Sequence, residues 1–76
     1  MIIIVKTVTT RYLELDTLEP SHTVLQLKEA IESSEGIPVI QQRLIFNGKP
    51  LQDELTIEAS GISAGATVHM VLALRA

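Results

Sequence analysis

Val68-His69-Met70-Val71-Leu72-Ala73-Leu74-Arg75-Ala76 reads as a strand that is apolar on both faces and runs out into a terminus with no turn and no cap. Side chains alternate across a strand, so Val68, Met70, Leu72 and Leu74 project one way and His69, Val71 and Ala73 the other. One face serves a core. The other carries Val71 where a polar residue would suit a small soluble domain better, which implies an adhesive surface beside a protruding end.

Working back from that strand, residues 2–8 form a β-branched apolar run, and residues 12–15 alternate with Leu13 and Leu15 on one side and Glu14 opposite. Thr9-Thr10-Arg11 joins them as a hairpin loop. Leu18 continues the inward set only if Asp16 or Thr17 is one residue too many, so a β-bulge is expected there. Glu19-Pro20-Ser21 ends the strand, and Thr23 with Gln26 three residues on makes a capping box. A helix follows, with Val24, Leu27, Ala30 and Ile31 as its apolar stripe and Gln26, Glu29, Glu32 and Ser33 toward water. Gly36 closes it as a left-handed cap, with Pro38 just beyond.

Gln41 to Phe46 reads as the next strand, with Leu44 inward and Ile45 outward. Asn47-Gly48 is a two-residue hairpin signal, and Lys49-Pro50-Leu51 the short return. The irregular stretch from Gln52 to Thr67 offers Leu55, Ile57 and Ile62 as apolar anchors and one helical turn from Thr56 to Gly61. This order predicts an α+β domain, with a mixed sheet carrying one helix on one face and the first and last strands parallel in its middle. Ile4, Ile45, His69 and Val71 then share the opposite face, more apolar surface than solubility requires.

Composition narrows the function. Seventy-six residues allow one domain, which at this size buries only ~60% of its unfolded surface. With 46% apolar residues but only Tyr12 and Phe46 aromatic, Ile, Leu and Val must fill the core. There is no cysteine, no signal-peptide pattern and no apolar run of membrane-spanning length, so a soluble cytoplasmic or nuclear protein is expected, with no membrane partner. A formal charge of -3 without Lys or Arg clusters argues against nucleic acid. Arg43, Lys49 and Arg75 nonetheless concentrate cations in the second half, a face suited to acidic protein partners.

Catalytic motifs are absent. Of the two histidines, His22 reads as a solvated loop residue and His69 as either an ordinary exposed strand residue or the rim of the apolar patch. There is no G-x-S-x-G, phosphate-binding Gly-rich loop or H-E-x-x-H, so no catalytic residue, metal ligand or cofactor is expected. Lys28 falls at the edge of the helix stripe. A covered stem there leaves its ammonium in need of a carboxylate or carbonyl.

Met1-Ile2-Ile3-Ile4-Val5-Lys6-Thr7, Glu35-Gly36-Ile37-Pro38, Gln41-Gln42-Arg43-Leu44-Ile45-Phe46, Gly48-Lys49 and His69-Met70-Val71-Leu72-Ala73-Leu74-Arg75 together resemble ubiquitin and its nearest relatives over essentially the whole chain. The resemblance implies the β-grasp fold over residues 1–72, a flexible tail over 73–76, and Asp53 as the partner of Lys28. Ala73, where ubiquitin has arginine, resembles the neddylation (Nedd/Rub) type of modifier, whose activating enzyme discriminates at that position. Shutting a cation out of a pocket discriminates more sharply than a methyl group's own packing can.

Such a modifier is a substrate, not an enzyme. Its terminal glycine is adenylated, passed as a thioester between activating and conjugating enzymes, and joined to a lysine of a target such as a cullin; deconjugating proteases and receptors complete the partners of a monomeric protein. By the resemblance, Val8, Ile45, His69 and Val71 form the recognition patch, Ala73, Leu74, Arg75 and Ala76 the tail read by the activating enzyme, and Lys49 a chain-linkage lysine.

The departures are specific. The loop after Leu15 is one residue longer, Ser60 replaces a common tyrosine, only Lys6, Lys28 and Lys49 remain as lysines, and Ala76 stands where the first terminal glycine belongs. The reactive glycine is therefore expected directly beyond Ala76. Divergent ubiquitin, or a ubiquitin-like binding module that is never conjugated, are the alternative readings.

Overall fold

The computed structural model describes residues 1–7 and 11–72. Its strands are β1 (Ile3–Lys6), β2 (Tyr12–Leu15), β3 (Gln42–Phe46), β4 (Lys49–Pro50) and β5 (Thr67–Leu72), with one helix, α1 (Val24–Glu35), and a 3-10 turn at Val39–Gln41. The sheet runs β2-β1-β5-β3-β4. β1 and β5 are parallel at its centre, and the other neighbours are antiparallel. With one helix on one face, this is the expected β-grasp arrangement.

The core lies between α1 and the sheet, where Val24, Leu27 and Ile31 meet Ile3, Val5, Leu15, Leu44, Val68 and Met70. Leu18, Ile57 and Ile62 close its rim. Ala30 of the predicted stripe is half-buried against the same cluster.

The start of α1 is finished completely. A helix leaves its first amides without internal acceptors. Here the Thr23 N–H donates to Gln26 Oε1 at 2.8 Å and the Gln26 N–H to Thr23 Oγ1 at 3.2 Å, the capping box read from the sequence. Between them, the Val24 and Leu25 N–H groups donate to the carbonyls of Leu55 (2.8 Å) and Asp53 (3.2 Å). The helix is thereby stitched to the segment before β5. At the far end Gly36 adopts φ 74°, the left-handed conformation that favours glycine, and its N–H bonds the Glu32 carbonyl.

Lys28 is 8% exposed, and its Nζ lies 2.6 Å from Asp53 Oδ1. The stem packs with the helix stripe while the ammonium reaches the same segment that caps the helix.

Two bends match the sequence reading. Asn47 and Gly48 take φ 55° and 76°, the paired positive values of a type I′ hairpin turn. The β1/β2 register pairs Ile3 with Leu15, which would place Met1 opposite Thr17, yet the Met1 amine donates to the Leu18 carbonyl at 3.0 Å. One residue is therefore extra, and Leu18 turns inward as the bulge requires.

Three expectations need correction. Leu55 is not an apolar anchor: the residue is 40% exposed, and its attachment to the helix runs through its carbonyl. Leu72 does not join the core, since β5 outruns it there; the paired Gln42 fills that level, its amide nitrogen bonded to the carbonyls of Lys28 and Ile37. β3 begins at Gln42, not Gln41, because Gln41 closes the 3-10 turn onto the Pro38 carbonyl. Ile57 and Ile62 are buried as expected, and the turn between them is held by Ser60 N–H to Thr56 O (3.0 Å). The hairpin loop reading falls partly on residues 8–10, outside the described residues.

Two measurements test this packing. Leu44→Ala removes a fully buried side chain and is expected to cost ~2–5 kcal/mol in urea unfolding, against under ~1.5 kcal/mol for its outward neighbour Ile45→Ala. Equal losses would mean the strand faces are misassigned. Asp53→Ala strands the Lys28 ammonium and is expected to cost ~1–3 kcal/mol, more than breaking the Arg11–Glu35 pair, whose cation is exposed, with Arg11→Ala. The reverse order would show that Lys28 gains nothing from Asp53.

Candidate functional site

The face of the sheet opposite α1 is built from the other half of each strand's alternation. Register aligns one row across all five strands: Pro50 pairs with Ile45, Ile45 with His69, His69 with Lys6, and Lys6 with Tyr12. Strand spacing of ~4.8 Å gives this row a span of roughly 19 Å. On one side of it Arg43 pairs with Val71; on the other Thr67 neighbours Ile4, which pairs with Glu14. His69 and Tyr12 are exposed, while Ile4, Ile45 and Val71 are half-buried.

Of the predicted patch residues, Ile45, His69 and Val71 are thus brought together on adjacent strands. Val8 and the tail residues Ala73, Leu74, Arg75 and Ala76 lie outside the described residues. Lys49 is exposed on β4, but it pairs with Phe46, one position out of phase with the Ile45–Pro50 pair, so it does not belong to this face.

The charge on the face departs in part from expectation. Arg43 is there and Lys49 is not; the second cation is Lys6, whose Nζ sits 5.9 Å from the centroid of the Tyr12 ring. A cation over an aromatic face at this distance is attracted by the ring quadrupole. Both residues are legible from parity, since Lys6 is two positions from Ile4 and Tyr12 two from Glu14. On this face Glu14 is the one carboxylate among the described strand residues, against Lys6 and Arg43. A chain of net charge -3 therefore turns a locally cationic sheet outward.

An apolar centre with a charged rim is the composition of a protein-docking surface. Among the described residues no group of three or more His, Asp or Glu side chains converges as a metal site, and no helix is long and apolar enough to cross a membrane. His22 is engaged in its own loop, its Nδ1 accepting the Glu19 N–H at 2.9 Å.

Residues 3–75 match the ubiquitin family model. The chain is 45% identical over 75 residues to Ubiquitin-like protein 1 of Schizosaccharomyces pombe, covering 99% of this chain and 95% of that protein. It is 44% identical to Ubiquitin-like protein NEDD8 of Dictyostelium discoideum and 44% identical to NEDD8-like protein RUB1 of Saccharomyces cerevisiae, each over 99% of this chain and 96% of the relative. Fold, register and near full-length identity agree: the chain belongs to the ubiquitin family, with NEDD8/Rub-type proteins among its relatives.

Proposed function

We propose that this protein is a NEDD8-type modifier, attached through a glycine directly following Ala76 to lysines of target proteins such as cullins, and read through its outward sheet face. The observation that carries the reading is the Ile45–His69–Val71 face on β3 and β5, laid on the strand that leads into the Ala73-Leu74-Arg75 tail. The attachment end then follows the recognition strand directly in sequence, so an enzyme that grips the globule at β5 is within a few residues of the tail.

In this reading the protein contributes no catalytic group. Activating and conjugating enzymes supply the cysteines and ATP supplies the driving force, while this chain supplies shape and a carboxylate. Glycine suits the reactive position because a backbone without Cβ threads a narrow channel. Ala73 removes the cation that would mark the tail as ubiquitin. Discrimination by exclusion needs only that the neddylation enzyme accept alanine and the ubiquitin enzyme demand arginine. The protein is expected to act in cytoplasm and nucleus, where such cascades operate.

The natural full-length chain, incubated with ATP and either activating enzyme, is expected to form a reductant-sensitive thioester with the NEDD8 enzyme at least ~10-fold faster than with the ubiquitin enzyme, a preference of about 1.4 kcal/mol. Ala73→Arg should erode that preference. Charging by the ubiquitin enzyme alone would make this a divergent ubiquitin, and charging by neither a binding module that is not conjugated. Separately, Ile45→Ala is expected to weaken receptor binding by ~1–3 kcal/mol in calorimetry. Unchanged affinity would move the recognition surface elsewhere.

A further inference from the structure

Beside the β3–β4 hairpin lies an open groove of about 460 Å³ lined by Phe46, Leu51 and Leu55, with Pro50 at its edge. Its other bank is Ala59, Ser60 and Gly61, small residues in succession. Ser60 does not reach in, since its hydroxyl donates to the Thr56 carbonyl at 3.0 Å. Gly61 stands against the ring: a Cβ built on it would lie 3.9 Å from Phe46 Cε2. Phe46 is thus a half-buried ring lining the groove beside a residue without a side chain.

Its wall is held in place. The Leu55 carbonyl is fixed by the Val24 N–H and the Leu51 N–H by the Leu44 carbonyl at 2.8 Å, so the exposed Leu55 side chain is presented from a pinned backbone. Among the described residues Lys49 is the one charged side chain lining the groove; Asp53, two residues before Leu55, is paired with Lys28.

We propose that this groove seats an aromatic side chain from an acidic segment of a partner protein, with the ring packed on Phe46 and Leu55 and a flanking carboxylate on Lys49. Aromatic rings prefer offset or edge contacts with one another, and a half-covered ring edge offers that geometry. The charge selects the flank. A lone cation at the mouth favours an acidic neighbour and disfavours a basic one. The groove adjoins the outward face at Pro50, which pairs with Ile45 and also lines the groove, while Lys49, one residue earlier, pairs with Phe46.

The test is an NMR titration of the ¹⁵N-labelled full chain with the blocked tripeptide acetyl-Glu-Tyr-Glu-amide, with controls in which alanine replaces the tyrosine or glutamine the glutamates. The expected result is saturable shifts at the amides of Leu51, Gln52, Ser60 and Gly61, with a Kd on the order of millimolar. Ser60→Tyr should abolish them by filling the groove, and the alanine peptide should produce none. Lys49→Gln, a change at an exposed residue, should weaken binding at least ~3-fold for the acidic peptide and leave the glutamine peptide unchanged. Shifts centred on His69 and Val71, equal shifts with the alanine peptide, or shifts that appear on concentrating the protein without peptide would each overturn the proposal.

Discussion

The first turn of α1 presents four amides that its own helix cannot satisfy, and all four are bonded: two by the reciprocal Thr23–Gln26 box and two by the carbonyls of Asp53 and Leu55. Lys28 reaches to Asp53 in the same segment. This stitching holds a stretch with little regular structure against the helix through its backbone. Two further strand-like bonds extend it, from Ile57 N–H to the His22 carbonyl and from Glu58 N–H to that of Pro20. The helix, the segment after β4 and one face of the sheet thus form a closed unit in which Ile57 and Ile62 are buried.

Closing the core on that side leaves the other side to be defined by register alone. Parallel pairing of β1 with β5 and antiparallel pairing of β5 with β3 place Lys6, His69 and Ile45 in one row. A shift of one residue in any of these pairings would send the row inward and bring Val5, Val68 or Leu44 out. The burial of those three is therefore what guarantees the outward surface, and recognition and stability are enforced by the same alternation.

Much of this was legible from residue pattern because local chemistry and fold agree. The Thr23 capping box, the Gly36 cap, the Asn47-Gly48 turn and the extra residue before Leu18 each rest on a short-range rule, and each is present. The outward placement of Ile45, His69 and Val71 followed from counting by two. What periodicity could not supply was the work of the backbone. Leu55 looks like a core residue because it is apolar, yet its carbonyl makes the attachment, and a carbonyl is the same in every residue. Leu72 fails for a related reason, since alternation gives a direction but not where the helix above ends. Tyr12 and Lys6 became a pair only once the β1/β2 register was known.

The separation of charge between the two halves of the molecule has a practical outcome. Eight of the nine carboxylates lie off the strands, while three of the six cations lie on them, so the strands carry net positive charge and the helix and loops net negative charge. An anion-exchange matrix would engage chiefly the carboxylates of the helix and loops, and a polyanionic support the cations of the strands. Chromatographic retention of this protein will therefore follow the field of whichever side meets the resin, and its isoelectric point will be a poor guide to how it elutes.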